Sequence, residues 1–187
     1  AGSRITYSQG FGVGNRKIEL IGEGYFEVKR NEEVPFLVKT NSLLVKVLGT
    51  KFNFRDYPDD AEAIVSLSEG KVALNNLLKK EKEAFLLPNE RVVLNKKNGR
   101  MHVEYSTVSN ALQWTNGYLF FDEELLPDVV KELERSYNVK IQIASDTLNT
   151  FRFYGNFVHR EQNIQEVLEA LSATRKIHYI IEGHNIT

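Results

Sequence analysis

The side chains best suited to metal or acid–base chemistry are few in this sequence and widely spaced. It has four histidines, at His102, His159, His178 and His184, and no cysteine. No two histidines have the i, i+4 spacing that places paired zinc ligands on one helical face. His178 lies between Ile177 and Tyr179 in a predicted strand, with its side chain on the opposite face. This position favours an exposed polar residue over a metal ligand, and the absence of cysteine excludes disulfides and thiolate sites.

Acidic residues cluster around Tyr57-Pro58, namely Asp56, Asp59, Asp60 and Glu62. Such a cluster could hold calcium, but it lacks the alternating ligands and the central glycine of a dedicated loop. Because Pro and Asp favour turns, we predict a solvated turn between strands. Glu123-Glu124 precede a predicted helix and suit its positive N-terminal dipole without an acid–base role. With no nucleophile elbow and no Ser/His/Asp signature, the sequence predicts no enzyme, no metal and no cofactor.

A glycine-rich stretch, Gly10-Phe11-Gly12-Val13-Gly14, is the one candidate for a phosphate-binding loop. That reading requires a strand before the glycines and a helix N-terminus after them. The alternating strand Lys17–Ile21 follows instead. We therefore predict a flexible connection between strands.

Composition places the chain among globular proteins. It has 187 residues, of which 42% are hydrophobic and 26% charged, a balance typical of folded domains. The net charge is −1, so there is no bulk electrostatic attraction to nucleic acid or anionic lipid. No apolar run approaches the ~20 residues that a membrane helix needs.

Residues 16–106 have an almost entirely β pattern. Short alternating runs rich in aromatic and β-branched residues are separated by turn signals at Gly49-Thr50, Glu69-Gly70 and Asn98-Gly99. The last of these, flanked by apolar runs on both sides, is the strongest hairpin signal. Many short strands without helices between them predict a sandwich or a short solenoid.

The remainder of the chain contains one pattern twice, at an offset of 38 residues. The aligned helical positions are Leu126, Val129, Val130 and Leu133 in the first copy, and Ile164, Val167, Leu168 and Leu171 in the second. Their i, i+3, i+4, i+7 spacing places each quartet on one helical stripe. The alternating positions that follow are Val139, Ile141 and Ile143, then Ile177, Tyr179 and Ile181. Each copy is thus a predicted strand, helix and strand, and the two helices must share a core.

The repeat contains four short motifs in order, namely Leu119-Phe120-Phe121-Asp122, Tyr154-Gly155-Asn156-Phe157, Asn163-Ile164-Gln165-Glu166-Val167-Leu168 and Lys176-Ile177-His178-Tyr179. In their order and spacing, they resemble the secretin and TonB short N-terminus domain, a small signalling domain.

Four motifs follow one another along the β region, namely Gly22-Glu23-Gly24-Tyr25-Phe26-Glu27-Val28, Pro35-Phe36-Leu37-Val38, Val47-Leu48-Gly49-Thr50-Lys51-Phe52-Asn53 and Glu69-Gly70-Lys71-Val72. In these motifs and in their order, the β region resembles the FecR family of anti-sigma regulators. Gly24 replaces the usual alanine. The repeat is similar to the C-terminal half of Bacteroidetes-type members. The predicted fold is therefore α+β, with an N-terminal all-β domain (1–106), a junction (107–116) and a duplicated βαβ module (117–187).

The resemblance also implies a pathway. In such a pathway, a TonB-dependent outer-membrane transporter senses its cargo and its signalling domain contacts the regulator in the periplasm. The regulator then acts on an extracytoplasmic-function sigma factor through a cytoplasmic segment. That segment, a membrane helix and a further strand pair precede the matched residues in the family. We therefore expect an excised periplasmic fragment whose first sheet lacks an edge. The alternatives are a glycan-binding or scaffold module without a signalling role and a hydrolase on a β-scaffold.

The expected partner-binding face lies on the repeated module. If Ile177, Tyr179 and Ile181 face the helices, the outer positions of that strand include His178 and Ile180. The matching outer positions of the first copy are Lys140 and Gln142. Ile180 is either a small apolar anchor for a partner or a residue packed on the β-domain. A partner strand added at an open sheet edge is the other possibility.

Overall fold

The structure is a computed structural model that describes residues 2–105 and 113–187. These residues divide between two compact units, 2–105 in one and 113–187 in the other. The first unit is all β and the second contains both long helices, so the α+β class holds in its broad form. Most of the predicted junction 107–116 lies outside the described residues. Within the part of the chain that is described, no helix is long and apolar enough to span a membrane.

The first unit is built from ten strands. They are β1 Arg4–Tyr7, β2 Arg16–Glu27, β3 Phe36–Lys39, β4 Leu43–Val47, β5 Lys51–Asp56, β6 Glu62–Glu69, β7 Val72–Asn76, β8 Ala84–Leu86, β9 Glu90–Asn95 and β10 Met101–Tyr105. The order is β10-β9-β6-β5-β2-β3-β4-β7-β8, with β1 also paired to β2. The strands thus form one large, nearly closed sheet. The predicted Asn98-Gly99 hairpin joins β9 to β10, and Gly99 has φ +66°.

Strand β2 belongs to both halves of this sheet. Its first part pairs with β1 and, in parallel, with β3, whereas its second part pairs with β5. The change of partner falls at Gly22, which has φ +97°, and a Cβ there would lie 2.9 Å from the Ser3 Cα. Only glycine fits a position with both constraints. Buried side chains from both halves, such as Val38 and Phe54, therefore share one core.

The acidic turn after β5 is not fully solvated, contrary to the sequence-based prediction. Asp56 is 5% exposed and Asp60 is 9% exposed. Asp56 pairs with Lys96 at 2.6 Å, and Asp60 pairs with Arg55 at 2.9 Å. The predicted turn is present, but folding brings a lysine from after β9 onto it. Each carboxylate is therefore paired with a cation, as buried charges in proteins usually are.

The second unit contains two strand–helix repeats and a C-terminal hairpin. Its elements are β11 Tyr118–Leu125, α1 Leu126–Tyr137, β12 Lys140–Ile141, β13 Arg152–Val158, α2 Ile164–Ala173, β14 Ile181–Glu182 and β15 Asn185–Ile186, with 3₁₀ turns at Gln113–Asn116 and Asp146–Thr150. β11 pairs with β13, and the other three strands form a sheet in the order β12-β15-β14.

Both helices lie close to their predicted positions. The four stripe residues of α1 are buried, as are Val167, Leu168 and Leu171 of α2. They share a core with Leu119 and Phe157 of the two-stranded sheet and with Ile186 of the three-stranded sheet. In α2, the Asn163 side chain accepts from the Glu166 N–H, and the Glu166 carboxylate accepts from the Asn163 N–H. This capping box fixes the start of the helix.

One local prediction for this unit is wrong, and one strand was not predicted. The strand predicted from Ile177 begins only at Ile181, and Ile181 is 38% exposed because β14 is an edge strand. β15, which occupies the centre of the sheet, was not predicted. Glu123 and Glu124 precede α1 as predicted, but both lie within β11, and the acid of the first helical turn is Asp128.

Candidate partner-binding site

The predicted site residues lie on or beside the three-stranded sheet of the second unit. The Lys140 N–H donates to the His184 carbonyl at 2.9 Å, and the Gln142 N–H donates to the Ile186 carbonyl at 2.8 Å. On the other side of β15, Ile180 and Thr187 exchange two backbone hydrogen bonds of 2.8 and 3.0 Å. β15 therefore bridges the two segments that the sequence suggested as a binding face.

The register gives this sheet an inner face, which contacts the core, and an outer face. Ile186 is paired with both Ile141 and Ile181, and it is 2% exposed within the core. Because side chains alternate along a strand, the neighbours Lys140 and Ile180 project from the outer face. Ile180 is 66% exposed, whereas Ile181, the other exposed isoleucine of this hairpin, is 38% exposed.

All four predicted residues are exposed, but the structure does not bring all of them into one cluster. Lys140, Gln142 and Ile180 are held by the hydrogen-bonded ladder of the sheet. His178 precedes β14 and belongs to no strand. Of the four, Ile180 offers the apolar surface that a protein partner would cover.

The two edges of the sheet differ. At the β12 edge, the Ile141 N–H donates to the Glu134 carboxylate of α1 at 2.9 Å. At the β14 edge, the hydrogen bonds of Ile180 to Thr187 leave the N–H and C=O of Ile181 pointing away from β15. Neither group has a hydrogen-bond partner among the described residues. One edge is closed by a side chain, and the other is open as far as the described part of the chain is concerned.

Two tyrosines of this unit have hydroxyl groups held by hydrogen bonds. The Tyr154 hydroxyl donates to the Glu123 carboxylate, which raises the pKa of Tyr154. The Tyr137 hydroxyl donates to the Gln162 carbonyl at 3.0 Å. Burial, and secondarily the charge of Glu166, raises the pKa of Tyr137. Both tyrosines are therefore neutral donors at neutral pH, with structural roles.

The described residues contain no group of three or more His, Asp or Glu side chains placed to hold a metal ion. The prediction that the protein binds no metal or cofactor remains a prediction.

The comparisons with known proteins cover both units. The model described as "FecR protein" matches residues 1–73, and the model "FecR, C-terminal" matches residues 118–187. Two crystal structures of a candidate anti-sigma factor from Parabacteroides distasonis ATCC 8503 match all of this chain and 85% of theirs, each at 32% identity, with TM-scores of 0.89 and 0.88. The chain belongs to the FecR family of anti-sigma regulators. No functionally curated protein matches it significantly.

Membership of the FecR family confirms the resemblance found in the sequence. FecR-family regulators are membrane-anchored periplasmic proteins that act with sigma factors and transporters. The family is regulatory and not enzymatic.

Sequence reasoning missed two residues that shape the candidate site. Ile186 lies beyond the alternating positions Ile177, Tyr179 and Ile181, which were the last ones used to define the repeat. Glu134 lies on the polar side of α1 and was an ordinary charged residue in the sequence. Its position seven residues before Ile141 gave no signal of the hydrogen bond between them.

Proposed function

We propose that this chain is the signal-receiving periplasmic part of a membrane-anchored FecR-family regulator. Its partner is the signalling domain of a TonB-dependent outer-membrane transporter. Cargo sensing by the transporter is relayed through the chain to an extracytoplasmic-function sigma factor, which the regulator reaches through a cytoplasmic segment outside the residues described above.

The observation that carries the proposal is the match of the whole chain, at 32% identity, to a candidate anti-sigma factor. Family models on both units support the same function. The site proposed for the partner is the outer face and edge of the three-stranded sheet, with Lys140, Gln142, His178 and Ile180 as its residues. The exposed Ile180 is its apolar centre.

Calorimetric titration with the signalling domain of the cognate TonB-dependent transporter tests the proposal. We expect wild-type chain to bind and Ile180→Asp to bind at least about tenfold more weakly, because a charge replaces the apolar anchor. Leu87→Asp is the matched control, since Leu87 is 56% exposed in the other unit. No binding by wild type contradicts the proposed function. Equal binding by both variants contradicts only the proposed face.

The relay to the sigma factor requires a test in cells. Deleting the gene should change cargo-induced transcription from the promoter of the sigma factor, and the full-length gene should restore it. Transcription that responds to cargo equally with and without the gene would contradict the relay. A chain that bound glycans and not the transporter domain would support the glycan-binding alternative.

A further inference from the structure

The three-stranded sheet of the second unit is closed at one edge and open at the other. Glu134 of α1 accepts the Ile141 N–H at 2.9 Å and so occupies the donor that a strand added beside β12 would need. At the opposite edge, β15 is the one strand among residues 2–105 and 113–187 that pairs with β14. An unpaired edge presents a row of donors and acceptors that a further strand can join.

The donors and acceptors on the open edge belong to Tyr179 and Ile181. Ile180 exchanges both of its backbone hydrogen bonds with Thr187. Backbone groups alternate in direction along a strand, so those of the residues on either side point outward. No hydrogen bond within the described part of the chain uses them.

Apolar side chains accompany the free backbone groups. Ile180 is 66% exposed on the outer face, and Ile181 is 38% exposed toward the inner face. A strand lying along this edge would cover an isoleucine on each face while its main chain satisfied the free donors and acceptors. Affinity from main-chain bonds combined with side-chain contacts is how strand addition operates.

The charge of the segment that leads into β14 indicates what such a strand carries. Arg175 and Lys176 precede β14 and are both exposed, although the Lys176 ammonium also donates to the Arg152 carbonyl at 3.2 Å. Glu182 is the one acid of residues 174–187. An incoming segment with an acidic residue near Arg175 and Lys176 would be complementary in charge, whereas a segment with a basic residue there would be repelled.

We propose that the partner docks by adding an extended, acidic and apolar segment as a fourth strand along Tyr179–Glu182. The segment belongs to the transporter signalling domain, so this inference rests on the proposed function and specifies how the partner is recognised. Lys140 and Gln142 lie on the opposite side of β15 and take no part in the added ladder.

Ile181→Pro is the decisive variant. Proline removes the outward N–H of Ile181, and proline is tolerated on an edge strand where the N–H faces solvent. Ile181→Ala is the matched control, because it shortens the side chain and keeps the N–H. In titrations of the full chain with the signalling domain, we expect Ile181→Pro to bind at least about tenfold more weakly than Ile181→Ala. Equal binding by the two variants overturns strand addition, whereas no binding by wild-type chain overturns the proposed function instead.

Hydrogen exchange of the unsubstituted chain provides a second test that does not depend on the variant folding. On complex formation, the amides of Tyr179 and Ile181 should become protected by at least about tenfold. The Ile141 amide is the internal control, since Glu134 already binds it. Unchanged exchange at both edge amides in the complex overturns the proposal.

Two further outcomes identify the occupant. Arg175→Glu should weaken binding by at least about threefold and reduce its dependence on salt. Wild-type behaviour of this variant overturns the acidic character of the segment. If light scattering shows that the chain alone is a dimer and that Ile181→Pro is a monomer, the strand comes from a second copy, and docking of the transporter domain at this edge is wrong.

Discussion

The ion pair between Lys96 and Asp56 provides the sharpest test of the first unit, through the substitution Lys96→Met. The Lys96 ammonium lies 2.6 Å from the Asp56 carboxylate, and the two side chains are only 17% and 3% exposed. Lys96 also donates to the Tyr57 carbonyl. Methionine fills a similar volume but leaves a buried carboxylate without its cation.

The expected loss of unfolding free energy is about 3–5 kcal/mol, the range found when one member of a buried ion pair is removed. Domains of this kind have only about 5–15 kcal/mol in total, so the loss is a large fraction of the stability. Adding Asp56→Asn to the Lys96→Met background should recover part of it, because the buried charge is then gone.

Urea denaturation followed by far-UV circular dichroism measures these differences. The matched control is Lys51→Met, since Lys51 pairs with Glu69 at 3.0 Å while their side chains are 45% and 69% exposed. We expect that control to lose less than about 1 kcal/mol. If Lys96→Met loses no more than the control, the Asp56 carboxylate is not in a desolvated site, and the reasoning is refuted.

Three other predictions concern the cores, the strand bend and pH. Leu133→Ala and Leu171→Ala should each cost about 2–5 kcal/mol in chemical denaturation, because both side chains are about 98% buried or more; losses below ~0.5 kcal/mol would place them outside the core. Gly22→Ala should cost more than about 1 kcal/mol in the same assay. Gly22 has a φ of +97°, and the new Cβ would lie 2.9 Å from a backbone atom. The control Gly10→Ala should be near neutral, because no atom lies within 4 Å of its new Cβ. The pKa of Tyr137 is higher in the folded chain than the ordinary value of 10.0 that applies to the unfolded chain. The neutral hydroxyl therefore contributes fully to stability below pH 10.0, and this contribution is lost as the pH rises through the pKa of the folded chain. The stability of Tyr137→Phe should therefore fall less steeply than that of wild type above pH 10.0 in an alkaline denaturation series, and parallel curves would contradict the assignment.

The sequence alone determined the features that depend on neighbouring residues. The apolar spacing of α1 and α2 is complete within each helix, so their positions and buried stripes followed directly from it. The Asn98-Gly99 turn needed only its own two residues and their flanks. The family was recognisable because its signature residues are contiguous, as in Gly22–Val28.

Tertiary structure decided the features that join distant parts of the chain. The burial of Asp56 depends on Lys96, which lies 40 residues further on. The division of β2 between two sets of partners depends on pairings with β3 and β5. Alternation within one strand cannot specify which other strand will pair with it.

The candidate site shows both contributions. Alternation correctly placed Ile180 on an outer face, since only its immediate neighbours matter for that. Which edge is free depends on the insertion of β15 between β12 and β14, and on the hydrogen bond that the Ile141 N–H donates to Glu134 at the β12 edge. These are contacts between segments that the sequence keeps apart, and only the folded chain brings them together.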